Sequence, residues 1–351
     1  MPTFSASILS SFGRSLFEAG GVPPDEAGVV TTSLVDANLC GHDSHGLIRI
    51  PQYLQMIADG RLKPGAAFQV LRETSALVVA DGGWGLGQVQ AHRLLRRLVD
   101  KARHSGVAAG TLQRCGHIGR LGEYAEAAAR HRLALIGTVN NHGYGRAVAP
   151  PGGVEGRIGT NPICLGVPTT TEPVFLDIGT SVCAEGKVRV CFNKKQPTPE
   201  GWLLDARGRP TTDPSVLYTE PRGTILPLGG PQAYKGFGLG LLLDMLVGGL
   251  SGAPCSHPHI AAPLGNAVLF IVLDIEQFAG AEHFLKEVGQ LSDEVRTCRR
   301  AEGVREILLP GDPERRSRAQ RQAGGIPLDD GTWQQLTDLA HRLKVPVPEA
   351  S

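Results

Sequence analysis

The sequence lacks cysteine pairs at the spacing of metal ligands or a disulfide framework. Its seven cysteines are an odd number, and no two of them stand as Cys-x-x-Cys. This pattern argues against a zinc ribbon and favours reduced thiols. Residues 1–21 also lack the basic start and apolar core of a secretory signal peptide. We therefore expect a cytoplasmic protein.

An excess of charge of either sign is absent as well. Lys and Arg number 35 against 34 Asp and Glu, which gives a formal net charge of +1. Such a balance creates no field that would attract nucleic acid or an anionic membrane, and we expect neither as a partner. Aromatic residues make up only 5%, whereas 46 glycines and 25 prolines imply frequent turns and close backbone packing.

Long hydrophobic runs are scarce. The most apolar one, residues 236–250, contains Asp244 and is shorter than the roughly 20 residues that a membrane-spanning helix needs. We interpret it as a buried core helix.

Common nucleotide and hydrolase motifs are missing too. The glycine-rich stretches GWGLGQVQ, GHIGRLG and GFGLG do not have the G-x-G-x-x-G spacing of a dinucleotide turn. The sequence also contains no P-loop, no H-E-x-x-H helix and no G-x-S-x-G elbow. Their joint absence argues against the Rossmann, P-loop, zinc-protease and α/β-hydrolase classes.

What is present predicts an α/β protein, because strands and amphipathic helices alternate from residue 75 to residue 141. Apolar spacing predicts two helices within residues 5–38. Further predicted helices cover residues 49–60, 87–106, 120–132, 236–250, 282–300 and 332–343. Predicted strands cover residues 75–83, 107–115, 133–141, 173–181 and 266–275. Residues 193–230, rich in Pro, Gly, Thr and Asp, predict an irregular region with hairpins.

The densest polar stretch is GHDSHG, residues 41–46, followed by Arg49 and Tyr53. If a helix begins just after this stretch, Arg49 and Tyr53 share one face, where the guanidinium could hold a carboxylate with two hydrogen bonds. The alternative is that Ser44 and His45 only cap this helix.

A metal site is a second alternative for the same stretch, because His-x-x-His spacing can ligate zinc. The ligands of such a metal-dependent hydrolase would be His42, Asp43, His45 and His117. No cysteine partners stand beside them, and Ser44 is not a transition-metal ligand. We expect no bound metal.

Three further clusters combine glycine with polar side chains. His117 lies between a predicted strand and helix, flanked by Gly116 and Gly119, where an imidazole could exchange a proton near neutral pH. Asp177, at a strand end, could accept hydrogen bonds from ribose hydroxyls. Lys235 precedes the apolar helix, and a lysine beside helix amides suits a phosphate. Ordinary loop and turn roles remain the alternatives.

Six motifs resemble, in order, the malate/L-lactate dehydrogenase family of the non-Rossmann type. They are ANLCGHDSHGLIRIPQYL, CGHIGRLGEYAE, GRIGTNPICLGVP, FLDIGTSVCAEGKV, GWLLDARGRPTTDP and YKGFGLGLLLDMLVGGLSGA. Within that family, the tail ILLPGDPERRSRAQRQAGGIPLDDGTW is most similar to the hydroxycarboxylate dehydrogenases. The resemblance covers residues 37–333.

The resemblance implies hydride transfer between NAD(P)H and a 2-oxo acid or its 2-hydroxy acid. NAD is the expected cofactor, with NADP left open, and NADPH-dependent reduction of a cyclic imino acid is the alternative activity. It also implies a homodimer with a non-Rossmann mixed-sheet α/β fold, whose helical N- and C-terminal parts pack together. Residues 1–75, joined by 285–351, would form a substrate and dimerisation part, and residues 76–284 a nucleotide-binding domain.

The resemblance also assigns site residues. His45 and His117 are the two candidates for the proton donor. The expected substrate contacts are Ser44, Arg49, Tyr53 and His142, the last in a stretch, NNHGYGRAV, that departs from the family. The expected cofactor contacts are His45, Gly119, Arg120, Leu121, Thr160, Asn161, Phe175, Leu176, Asp177, Ile178, Gly179, Lys235, Gly311, Asp312, Pro313 and Glu314.

Overall fold

The computed structural model describes residues 1–259 and 264–349. Its helices, in chain order, are α1 (Ala6–Ala19), α2 (Pro24–Leu39), α3 (Arg49–Ala58), α4 (Gly87–Ser105), α5 (Gly122–Arg130), α6 (Glu185–Asn193), α7 (Ala233–Ser251), α8 (Ala281–Arg296), α9 (Asp312–Gly324) and α10 (Asp330–Leu343). Its strands are β1 (Thr3–Phe4), β2 (Gln69–Glu73), β3 (Leu77–Gly85), β4 (Val107–Cys115), β5 (Leu133–Asn140), β6 (Ile163–Val167), β7 (Val174–Ile178), β8 (Leu203–Leu204), β9 (Pro210–Thr211), β10 (Thr224–Ile225), β11 (Asn266–Asp274) and β12 (Ile326–Pro327).

The central sheet has the strand order β2-β3-β4-β11-β5-β6-β7. Strands β3 and β4 are parallel and joined by α4, whereas the other neighbouring pairs are antiparallel. Strand β11 therefore lies between β4 and β5 and runs against both. This arrangement confirms the predicted mixed sheet.

Alternating residues of β11 supply both faces of the sheet. Val268, Phe270 and Val272 belong to the hydrophobic cluster that includes α4 and α5. Ala267 and Leu269 point to the opposite face and pack with α7. Successive side chains of a strand point to opposite faces, so one apolar strand is covered by helices on both sides.

The helical N- and C-terminal parts pack together, as expected. Their shared core contains side chains from α1, α2, α3 and α10. Strands β1 and β12 pair with each other, and the Phe4 ring lies 4.5 Å from the Trp333 ring. The division of the chain into two domains stays a prediction.

The expectation of a fully buried apolar helix is wrong. Helix α7 begins at Ala233, and only a narrow stripe of its residues faces inward, namely Gly236, Gly240, Leu243, Asp244, Val247, Gly248 and Ser251. A Cβ at Gly240 would lie 2.4 Å from the Thr180 hydroxyl, so the stripe needs glycine to approach this closely. The outward face is apolar but exposed, with Leu242 60% and Met245 51% accessible.

Residues 230–251 also have the length and apolar composition of a membrane span, which corrects the expectation that this run is too short. Core helices of soluble proteins meet the same criterion.

Several elements were not predicted, namely α6, α9, β1, β2, β6 and β12. Strand β6 is only five residues long, and α6 contains two valines, so neither gives a clear period. In the region predicted to be irregular, β8, β9 and β10 form a small three-stranded sheet. Helix α8 ends at Arg296 rather than at residue 300.

Candidate active site

A cleft of about 570 Å³ lies where three loops converge. One is the single 3-10 turn Asp43–His45 before α3, the second follows β4, and the third follows β7 and leads into α6. The cleft therefore draws its walls from the helical N-terminal part and from the edges of the central sheet.

The GHDSHG stretch is held in shape by one asparagine. The Asn38 side chain accepts a hydrogen bond from the Leu47 amide (2.9 Å) and donates one to Asp43 (2.6 Å). A Cβ at Gly46 would lie 2.2 Å from Asn38 Oδ1, so only glycine fits at this end of the turn.

Helix α9 fixes the other side of the same turn. His42 Nε2 lies 3.1 Å from a Glu314 carboxylate oxygen, and Arg321 contacts Asp43 with two hydrogen bonds of 2.6 and 3.0 Å. Within residues 1–259 and 264–349, no group of three or more His, Cys, Asp and Glu side chains is arranged to hold a metal ion. The alternative of a metal-dependent hydrolase therefore has no support here, because His42 contacts Glu314 and Asp43 pairs with Arg321 instead.

His45 and His117 meet in the cleft although they are far apart in the chain. Their rings stack with centroids 5.1 Å apart and an interplanar angle of 6°. Nδ1 of His117 lies 2.6 Å from the Tyr53 hydroxyl, which also accepts a hydrogen bond from Gln88 Nε2 at 3.2 Å. Nδ1 of His45 is buried without a partner. Only His117 is therefore oriented through its second ring nitrogen.

Burial shifts the titration of all three rings. Desolvation, reinforced by the nearby Arg49 charge, lowers the pKa of His45 to about 3 and holds the pKa of His117 well below its usual range. Desolvation raises the pKa of Tyr53 to about 12. Both imidazoles are therefore neutral at pH 7, and Tyr53 is a protonated phenol.

Arg49 is the cation next to these rings. Its Nε donates to the Ser44 carbonyl (2.6 Å) and its Nη1 donates to the Gln52 side chain (2.9 Å). Ser44, Arg49 and Tyr53 all line the cleft, so three of the four predicted substrate residues come together. The fourth, His142, does not: its ring is buried 4.9 Å from the Trp84 ring.

The predicted cofactor residues divide into two groups. Those that line the cleft are His45, Gly119, Leu121, Thr160, Asp177, Ile178 and Gly179. Those that do not are Arg120, Asn161, Phe175, Leu176, Lys235, Gly311, Asp312, Pro313 and Glu314.

Asp177 is the acidic group of the cleft on the β7 side. One carboxylate oxygen accepts the Gly122 backbone amide at 2.8 Å, at the start of α5. Burial raises the pKa of this carboxyl. Its other oxygen has no hydrogen bond among the described residues, so it can accept one from a bound hydroxyl. Gly119, with φ +80°, lets the backbone pass close by. These features fit the ribose end of a nucleotide.

Arg120 does not line the cleft, although its neighbours Gly119 and Leu121 do. Its guanidinium is fully buried, forms ion pairs with Asp36 and Glu126, and lies 5.6 Å from the Phe175 ring. A Cβ at Gly311 would approach the same ring at 2.9 Å. Arg120, Phe175 and Gly311 thus form a packed layer that supports the cleft.

Three other predicted contacts have structural partners. Asp312 accepts hydrogen bonds from Arg296 and Arg315, which lower its pKa to about 2 against the opposing effect of burial. Asn161 donates to Asp244 and to a carbonyl of α7. Lys235 is exposed in the first turn of α7, so the expectation that it precedes the helix is wrong.

The cleft also contains residues that the sequence did not reveal. They are Gln52, Met56, Val139, Asn141, Gly145, Pro162, Leu228, Leu264, Gly265, Asn266 and the segment 181–187, whereas Tyr144, which with His142 belongs to the NNHGYGRAV stretch expected at the substrate pocket, does line the cleft. Asn266 accepts the Ile118 amide (2.9 Å) and donates to the Asn140 carbonyl (3.0 Å), which ties the His117 loop to the end of β5. An amide at a strand start carries no motif, so its role is visible only in the fold.

Comparison with known proteins agrees with this architecture. The family model for malate/L-lactate dehydrogenase matches residues 4–337. Hydroxycarboxylate dehydrogenase B of Escherichia coli K12 is 36% identical over 348 residues, covering 98% of this chain and 95% of that protein. Malate dehydrogenase from Pyrococcus horikoshii has a TM-score of 0.88 at 30% identity, covering 99% and 97% of the two chains. Δ1-Piperideine-2-carboxylate reductase from Pseudomonas syringae has a TM-score of 0.84 at 30% identity, covering 97% and 100%.

The fold and the comparisons define a dehydrogenase that acts on 2-hydroxy acids. The chain belongs to the malate/L-lactate dehydrogenase family. Both the family and the general activity predicted from the six motifs are thereby confirmed.

Proposed function

We propose that this cleft carries out reversible hydride transfer between a nicotinamide cofactor and C2 of a 2-oxo or 2-hydroxy acid, with His117 as the acid and base. The observation that carries the proposal is the stacked pair His45 and His117 beside Arg49. A proton donor and a carboxylate-binding cation in one cleft are what the reduction of a 2-oxo acid requires of a protein.

Arg49 binds the substrate carboxylate in this proposal. Its contacts with Ser44 and Gln52 fix the guanidinium plane and leave Nη2 without a hydrogen bond among the described residues. A bound carboxylate would offset the positive charge that helps to lower the pKa of His117. Substrate binding then makes His117 a better base for the 2-hydroxy acid.

His117 is favoured over His45 as the proton carrier because its ring is oriented. Tyr53 occupies Nδ1 of His117 and leaves Nε2 for the substrate oxygen. His45, with no partner on Nδ1, serves as the flat wall against which His117 stacks. General acid catalysis of this kind contributes roughly 10²–10⁴-fold.

The cofactor that we propose is NAD in preference to NADP. A bound nicotinamide dinucleotide would supply or accept the hydride. Asp177 would accept a ribose hydroxyl, and Glu314, which does not line the cleft itself but contacts the lining residue His42, adds a second negative charge near Asp177. A phosphate beside two carboxylates is repelled. The ratio of kcat/KM for NADH and NADPH tests this, and a preference for NADPH would contradict it.

We further propose a cytoplasmic homodimer formed through the exposed face of α7, in place of the dimerisation through residues 1–75 and 285–351 that the resemblance implies. Its apolar side chains are Leu239, Leu242, Met245, Leu246 and Leu250. The free state of all seven cysteines supports the location. Leu242→Glu should shift sedimentation toward the monomer, and Leu71→Glu, at an exposed position of β2, should not. A wild-type monomer that sediments with lipid vesicles would contradict the dimer.

The decisive assay is oxidation of NADH and, in parallel, of NADPH. The panel contains pyruvate, oxaloacetate, 2-oxoglutarate, phenylpyruvate and hydroxyphenylpyruvate, with one cyclic imino acid because a similar structure is an imino acid reductase by name. Turnover of a 2-oxo acid is the expected result. Turnover of the imino acid alone would replace the proposal with the alternative, and no binding of either nucleotide would contradict it.

A further inference from the structure

Gln88 is a polar side chain buried completely in the first turn of α4, next to the cleft. Its Nε2 donates to the Tyr53 hydroxyl at 3.2 Å, and that hydroxyl lies 2.6 Å from Nδ1 of His117. The three groups form a chain that runs from the protein interior to the candidate acid and base.

The direction of the protons in this chain depends on Gln88. A tyrosine hydroxyl has one proton and two lone pairs, so if Tyr53 accepts from Gln88, its proton is free to be donated to His117 Nδ1, the nearest acceptor at 2.6 Å. Nδ1 of His117 is then an acceptor, and the ring proton of the neutral imidazole is on Nε2. If the amide were turned round, every hydrogen bond would reverse, and His117 would present a lone pair to the cleft.

The surroundings of Gln88 favour the first arrangement. Its Oε1 is buried without a partner. Turning the amide would put an NH₂ group with two donors in that position, and a buried unpaired donor is rarer than an unpaired carbonyl. The Tyr53 hydroxyl has one other acceptor nearby, the His117 carbonyl, at a longer 3.5 Å.

We propose that Gln88 is a positioning residue that acts through Tyr53 to keep the proton of His117 on Nε2. This inference rests on the proposed function, since it assigns the state in which His117 meets a 2-oxo acid. With Gln88 in place, His117 presents Nε2–H to the oxo acid. When that proton passes to the oxygen that becomes the alcohol, the Tyr53 proton would pass to Nδ1 of His117, and the Gln88 amide would donate to the phenolate that remains.

The chain offers a matched control in Gln90. It lies on the same helix and is equally buried, its Nε2 donates to the Ala66 carbonyl (2.9 Å), and its Oε1 is also unpartnered. It does not contact Tyr53 or His117. Gln88→Met and Gln90→Met therefore remove the same polar groups from equally buried positions. Only Gln88→Met removes a hydrogen bond to Tyr53.

The first measurement is the ¹⁵N chemical shift of His117 in the intact protein, assigned with His117→Gln. The wild type and Gln90→Met should show the Nε2–H tautomer. Gln88→Met should show a mixture, because the Tyr53 proton is no longer directed. Gln88→Glu should shift the signal toward the Nδ1–H tautomer, since a carboxylate accepts the Tyr53 proton.

The second measurement is steady-state reduction of the 2-oxo acid that the panel identifies. Gln88→Met should lower kcat about tenfold, the effect of losing one well-directed hydrogen bond, with the KM of the oxo acid unchanged. Gln90→Met should keep both. A wild-type Nδ1–H tautomer, or an unchanged tautomer and kcat in Gln88→Met, would overturn the inference. If no 2-oxo acid is reduced, the proposed function fails, and the tautomer alone still decides the role of Gln88.

Discussion

Two glycine-flanked turns each bring one ring of the stacked histidine pair to the cleft, and they differ in what holds that ring. In the turn 41–46, His45 has no partner on Nδ1, whereas in the loop 116–119 Tyr53 occupies Nδ1 of His117. The local sequences look alike, and both rings are neutral at pH 7 because burial lowers their pKa. The roles of the two histidines therefore differ because of Tyr53, which lies 64 positions before His117 in the sequence.

The two turns also differ in how they are supported. Charged contacts with α9 hold the 41–46 turn, through Glu314 and Arg321. Neutral amides hold the 116–119 loop: the Gly116 amide donates to the Gly85 carbonyl and Asn266 accepts the Ile118 amide, each at 2.9 Å. Salt screens exposed charges but not buried amide contacts, so the turns should respond differently to ionic strength.

The largest difference is expected when each histidine is replaced in turn. His117→Gln should lower kcat by roughly 10²–10⁴-fold, the usual contribution of a general acid, and leave the Kd of NADH unchanged. His45→Gln should lower kcat by only about tenfold through lost stacking. Stopped-flow reduction with bound NADH measures both. A larger loss for His45→Gln would reverse the assignment of the two turns.

The second prediction concerns Arg49, which lies beside both rings. Arg49→Lys should raise the KM for the 2-oxo acid about tenfold, because an ammonium cannot make the planar contacts of a guanidinium. The affinity for NADH should stay the same, since Arg49 does not contact Asp177, the proposed ribose-binding residue. Initial rates at saturating NADH measure the effect, and an unchanged KM would mean that another group holds the carboxylate.

Sequence reasoning predicted most of the long elements and the two histidines, because amphipathic periods and glycine-flanked polar turns are local signals. It missed α9, whose sequence DPERRSRAQRQAG gives no apolar period. It predicted neither β6 nor α6, which are too short to show a period. It also interpreted α7 as buried, since an all-apolar composition does not say which face meets the sheet. Gln88, Asn140 and Asn266 were not recognised because buried amides acquire their roles from partners that the fold brings together.

The third prediction uses the lowered histidine pKa values. In the unfolded chain His45 has a pKa of 6.5, whereas in the folded protein burial lowers its pKa to about 3. Between these two values His45 is protonated in the unfolded state and neutral in the folded state. The unfolded state then holds more protons, so the free energy of unfolding falls as the pH drops through this window. His45→Gln should flatten the dependence of Tm on pH between 6.5 and 4. Parallel curves for mutant and wild type would mean that His45 is not buried in its neutral form.

The smallest expected effect tests the charged support of the 41–46 turn. Arg321→Gln removes the contacts with Asp43, and Arg316→Gln removes an exposed pair with Glu306 on the same helix. Each should cost no more than about 1 kcal/mol of stability. Only Arg321→Gln should raise the KM for the oxo acid, because Asp43 is next to Ser44, whose carbonyl orients Arg49. The same substitution should also make this KM independent of salt concentration. Equal kinetic effects would mean that α9 stabilises the fold without positioning the turn, and the charged and neutral supports would then be equivalent.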